Sequence, residues 1–129
     1  MTPYHYAIVQ IRDGAVAVER RNVGLVVLCP ARGKAWVRQA DLNQRAHLIG
    51  DESAFVRALF DALADEAQEI ARTGSASVAH GWLRARTLPT EDALTLAEPA
   101  VGIAADLEAE VTRLRVRYLG PTGRSGATA

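Results

Sequence analysis

Two apolar, β-branched runs within the first thirty residues constrain this chain most. Tyr4-His5-Tyr6-Ala7-Ile8-Val9-Gln10-Ile11 is followed by a polar, charged link. Asn22-Val23-Gly24-Leu25-Val26-Val27-Leu28-Cys29 then runs up to Pro30. Runs of this length and composition, bounded by turn residues, read as two strands of a buried sheet. In the first run Tyr4, Tyr6 and Ile8 alternate with Ala7, Val9 and Ile11. Both faces are therefore apolar, as in a strand inside a sheet. Asp13-Gly14 marks a turn, and residues 15–19 alternate weakly enough to extend a hairpin. Pro30 ends the second strand because it cannot donate to a ladder. Ala31-Arg32-Gly33 is a short loop before a third strand, Lys34–Arg38, which predicts a second hairpin.

The remaining pattern is helical. Residues 41–49 suggest a short helical turn closed by Gly50. Over Glu52–Thr73, Val56, Leu59, Phe60, Leu63, Ala67 and Ile70 fall on one stripe at helical spacing. Asp51 or Ser53 can cap its start, and Gly74 follows its end. Residues 74–92 are punctuated by Gly, Ser, Thr and Pro and read as a loop anchored by Trp82 and Leu83. A short fourth strand over Ala93–Leu96 and a turn at Pro99 and Gly102 precede a last helix over Ala105–Leu119. That helix carries Leu107, Val111, Leu114 and Tyr118 on one face. The order β-β-β-α-β-α predicts an α+β fold: a mainly antiparallel sheet of about four strands with two long helices packed against it. At 129 residues the length suits one domain, residues 1–119, with a small polar tail over 120–129 expected to be disordered.

Charge and cysteine content narrow the function classes. Fifteen cationic side chains balance fifteen acidic ones, so nucleic acid is not the expected partner, because dedicated binders are usually basic. All the cations but Lys34 are arginines, whose planar fork suits phosphate and carboxylate. Cys29 is the single cysteine, so no intrachain disulfide forms, which suits a reducing compartment. No basic-then-apolar leader precedes the first strand, and no apolar run approaches a membrane span. A cytoplasmic protein is expected.

At Tyr4-x-Tyr6-x-Ile8-Val9 and Glu19-Arg20-Arg21-Asn22-Val23-Gly24-Leu25-Val26-Val27-Leu28 the chain resembles a bacterial family, domain of unknown function 3037. The likeness continues through Trp82-Leu83, Thr95–Gly102 and the Asp106–Leu119 helix. It departs at the link between the first two strands, which is usually Pro-rich in that family and here reads Asp13-Gly14-Ala15-Val16-Ala17-Val18. The family has no established activity, so the resemblance imports no catalytic residue. It does imply genes lying beside kinase-like proteins of the HipA type, and hence an accessory role with a protein partner.

Each candidate site has a simpler structural account. Asn22-Val23-Gly24 could cradle a ligand, yet Gly inside a strand more commonly marks a bulge or a close contact. Arg20 and Arg21, with Arg12 near, could bind an anion or simply be a solvated hairpin link. His5, His47 and His80 show no metal-ligand spacing, and no metal or cofactor is expected. Cys29 with a neighbouring His5 could form a nucleophile pair, though a cysteine ending an apolar strand usually packs. Asp61, Asp65, Glu66 and Glu69 lie opposite the apolar stripe of their helix, where a solvated face is the simplest account.

No catalytic constellation emerges. The leading expectation is a non-enzymatic interaction module that docks through Arg12, Arg20, Arg21, Asn22 and Gly24. The alternative is a small enzyme acting on a phosphorylated or nucleotide substrate, with Arg20, Arg21 and Asn22 on the anion and His5 or Glu19 as acid or base. A weaker reading uses Tyr4 and Tyr6 to stack single-stranded nucleic acid. Four strands leave two sheet edges, which leaves homodimerisation open.

Overall fold

The computed structural model describes residues 1–12, 20–40, 51–87 and 94–120. Their elements run β1 (Thr2–Arg12), β2 (Arg20–Cys29), a 3-10 turn (Pro30–Arg32), β3 (Lys34–Gln39), α1 (Asp51–Thr73), α2 (Ala76–Ala85), β4 (Leu94–Leu96), β5 (Ala100–Ala104) and α3 (Leu107–Leu119). The expected hairpin extension over 15–19, the helical turn over 41–49 and the tail from 121 lie outside the described residues.

β1 is the axis of the sheet. β2 pairs with one edge of it along almost its whole length, and β3 pairs with β2. On the other edge β5 pairs with Thr2–Tyr6 and β4 with Val9–Ile11. Every pairing is antiparallel. The two-sided apolar pattern of β1 explains this position, because each face needs its own cover. Tyr4 and Ile8 pack with Leu25, Val27, Trp36 and the Leu107, Val111 and Leu114 stripe of α3. Ala7, Val9 and Ile11 pack with Val26, Leu28, Phe60, Ala67 and Leu83 from α1 and α2. The mixed α+β reading therefore holds, as a three-layer arrangement with the sheet in the middle.

Two segments differ from the sequence expectation. Residues 76–85, expected as loop, form α2. Ser75 caps it by accepting the Val78 N–H at 3.3 Å. Ala79 and Leu83, four residues apart, are its buried contacts. Gly74 and Ser75 are thus the junction between two helices rather than the start of a loop. Gly102, expected in a turn, lies in the middle of β5. A Cβ there would come within 2.5 Å of Tyr4 Cζ, so the glycine is what lets the strand lie beside the buried tyrosine.

Two glycines therefore respond oppositely to the same change. Gly102→Ala forces Tyr4 out of place and costs about 1–3 kcal/mol, the usual range for overpacking. Gly81 sits within α2 with nothing within 4 Å of a Cβ, so Gly81→Ala gains about 0.5–1 kcal/mol from helix propensity. Urea unfolding of the two variants beside the parent reads both signs.

Candidate functional site

The Asn22-Val23-Gly24 segment is a bulge, and the bulge explains all three residues. Val9 pairs with Gly24 while Gln10 pairs with Asn22, so Val23 is the extra residue on β2. The Val23 carbonyl is taken by the Ala40 N–H at 2.9 Å, which ties β3's exit to the bulge. An extra residue reverses the alternation of faces. Gly24 therefore lies under α1, where a Cβ would meet Phe60 Cζ at 2.6 Å and the Arg38 carbonyl at 3.0 Å. Asn22 instead lies on the α3 side. Its Oδ1 accepts from Gln10 Nε2 at 3.0 Å, and its Nδ2 donates to the Tyr118 carbonyl at 3.3 Å. That carbonyl belongs to the last turn of α3, where no intrahelical N–H remains for it. Both residues are thus engaged in packing and helix capping.

The same corner gathers cationic positions. In the β1–β2 ladder Arg12 stands directly opposite Arg20, and Arg21 is opposite Ile11. The side chains of these three arginines lie outside the described residues. Beside them ends α3, whose exposed Arg117 lies over the Tyr118 ring at 5.3 Å. Arg115 donates to the Gln39 carbonyl at 3.1 Å, joining α3 to the end of β3.

A second polar centre, not anticipated from the sequence, lies at the opposite end of β1. Tyr4 is only 3% exposed, and its hydroxyl donates to Glu110 Oε2. Arg113 closes on the same carboxylate with both arms, Nε to Oε1 at 2.7 Å and Nη2 to Oε2 at 2.9 Å. Arg113, then Tyr4, pull the Glu110 carboxyl down to about 2, despite an opposing effect of burial. Burial first, then Glu110, pushes the Tyr4 hydroxyl up to about 12. Tyr6 continues the row toward α3, with its pKa raised chiefly by its hydrogen bond to Tyr118. The Glu110–Arg113 spacing of three was readable as a helical pair; its convergence on Tyr4, 106 residues earlier, was not. With Tyr4 buried under α3, the Tyr4/Tyr6 face offers no stacking platform.

On the other face of β1, His5 is 8% exposed and its Nδ1 lies 3.3 Å from His80 Nδ1 on α2. Burial, and then His80, lower the His5 pKa. A cleft of about 280 Å³ opens beside it, lined by Pro3, His5, Pro30 and the Gly74–Ala76 junction. A cleft of about 340 Å³ across the sheet is lined by Arg32, Lys34, Trp36 and the start of α3. There Trp36 Nε1 donates to Glu108 at 3.2 Å, with Lys34 3.9 Å from the same carboxylate.

These positions separate several sequence candidates. His5 and Asn22 lie on opposite faces of the sheet. Their rungs are five residues apart along β1, about 17 Å at strand rise. Cys29 is buried among the α3-side residues and donates weakly to the Pro3 carbonyl at 3.6 Å, whereas His5 faces α2. Asp61, Asp65, Glu66 and Glu69 are exposed; Glu66 pairs with Arg86 and Glu69 with Arg72. His47 lies outside the described residues. No group of three or more metal-ligating side chains occurs among the described residues, and no described helix is long and apolar enough to cross a membrane.

Fold and corner together define a small α+β domain whose polar clusters mostly hold elements in place. The chain belongs to the family described as "Protein of unknown function (DUF3037)", whose model matches residues 6–119. No curated protein and no solved structure matches it.

The Tyr4–Glu110–Arg113 cluster contributes a pH dependence to stability at both ends of the range. Because the folded Glu110 pKa lies below its unfolded value, its contribution is present above about pH 4.3 and fades as pH falls toward 2. Because the folded Tyr4 pKa lies above its unfolded value, that contribution is present below about pH 10 and fades as pH rises toward 12. Glu110→Gln therefore flattens the acid limb of a melting-temperature profile, and Tyr4→Phe flattens the alkaline limb. Thermal melts across pH read both.

Proposed function

We propose that this protein is a non-enzymatic accessory module that docks an acidic surface of a protein partner through the corner formed by β1, β2 and the end of α3. A kinase-like protein of the HipA type is the partner that the family's resemblance suggests. The observation that carries the reading is the register: Arg12 stands directly opposite Arg20, at positions on the α3 side of the sheet, while Arg21, opposite Ile11, falls at the rim on the other face. Like charges facing each other across an antiparallel pair destabilise it, by a few tenths of a kcal/mol up to about 1 kcal/mol. Such a pair is retained at little loss where an outside anion neutralises it. Arg is also the residue whose fork binds carboxylates in pairs. Asn22 and Gly24 serve this surface indirectly, by shaping the bulge beneath it.

With His5 as acid or base, the reading as an enzyme for a phosphorylated or nucleotide substrate needs His5 to converge with this corner. The opposite faces and the span between them speak against that arrangement. Glu19, the other candidate, lies outside the described residues.

Arg20→Glu separates a docking role from a structural one. It replaces a repulsive rung with an attractive one, so it raises stability by about 0.5 kcal/mol. The same change weakens binding to the kinase-like partner, and the affinity of the parent falls as salt is raised. Calorimetric titration against that partner, paired with urea unfolding, reads both effects. Undiminished binding by an Arg12→Glu/Arg20→Glu/Arg21→Glu variant would sink the proposal.

A further inference from the structure

We infer that β5 is the contact strand of a two-fold homodimer, in which two copies pair β5 with β5 antiparallel about Gly102. This inference is independent of the arginine corner, which lies toward the other end of β1.

The strand reads Ala100-Val101-Gly102-Ile103-Ala104, nearly the same in both directions. β1 occupies one edge of it, and no described strand pairs with the other. The backbone groups on that free edge can be identified. Ala97 N–H donates to the Ile8 carbonyl, so the even-numbered residues of β1 turn their backbone groups toward β4 and β5. Tyr4 faces Gly102 in that ladder, so Gly102 is engaged with β1, while Val101 and Ile103 turn their N–H and C=O outward. A two-fold axis at Gly102 sets Val101 of each copy opposite Ile103 of the other, so both outward pairs can exchange hydrogen bonds. The side chains agree with this register. Val101 and Ile103 are 57% and 60% exposed, two of the few large apolar groups left in water among the described residues. They share the face of His5 and Pro3. The dimer would bring Val101 and Ile103 of both copies together on that face, with Ala and Gly meeting on the opposite face.

Charge supports a second copy as the occupant. β5 carries no charged residue, whereas the opposite edge strand, β3, carries Lys34 and Arg38, the usual protection against edge pairing. A contact symmetric in sequence and uncharged along its length suits an isologous dimer.

The test uses the full chain. Light scattering behind size exclusion over a concentration series should give a dimer for the parent. Val101→Lys and Ile103→Lys should each weaken its dissociation constant by about tenfold or more, or roughly 1.4 kcal/mol. Both sites are exposed, so circular dichroism should show the fold unchanged. Register is read separately. Under oxidation, Val101→Cys mixed with Ile103→Cys should form a cross-linked dimer, and neither variant alone should do so. A parent that stays monomeric throughout would overturn the inference. So would a dimer indifferent to both lysines, single-cysteine variants that cross-link as readily as the mixture, or a monomeric full chain that dimerises only after removal of residues 121–129. That last result would mean the chain's own tail covers β5.

Discussion

Both hydrophobic layers of this protein are built on one strand. β1 carries a large apolar residue toward each face, and each face has its own helical cover, α3 on one side and α1 with α2 on the other. It is also the only described strand paired along both edges by three others. Burial on both faces and pairing on both edges make β1 the least replaceable segment, since any slip of one residue exchanges its faces. The Tyr4 and His5 contacts show the consequence. Neighbouring residues on this strand reach opposite layers, one to Glu110 on α3 and the other to His80 on α2.

The Asn22-Val23-Gly24 bulge reconciles that strict alternation with the need to close the end of α3. Without the extra residue, Asn22 would face α1 and the Tyr118 carbonyl would lack its side-chain donor. With it, Gly24 makes room for Phe60 while Asn22 reaches the other layer. A short motif that reads like a ligand cradle is thus accounted for by two packing demands on opposite faces. Polar residues at a strand bulge are better assigned to function only after the nearby helix ends have been satisfied.

Both proposed contact surfaces lie at the margins of the sheet. The mouth of the first hairpin brings cationic positions together across a rung, and among the described residues nothing pairs with the outer edge of β5 or covers its apolar groups. Under the proposed docking and dimer, the first would meet an acidic surface and the second its own copy.

The α+β class, the three long strands, the two long helices and the Leu107, Val111 and Leu114 stripe were legible in the sequence, because hydrophobic periodicity is local and strong in those segments. α2 was hidden by Gly74 and Ser75, which mark loops and helix junctions alike. β5 was hidden by Gly102, whose reason lies in the ring of Tyr4, nearly a hundred positions away. The bulge could be suspected from a glycine inside a strand, but the face to which it turns Asn22 could not. The amino-acid order alone thus determined which segments are strand or helix and which of their faces are greasy, since those depend on neighbours a few residues off. Only the tertiary structure decided which strand lies at the edge, which arginines confront one another and which tyrosine meets which carboxylate, because strand register and layer packing join residues far apart along the chain.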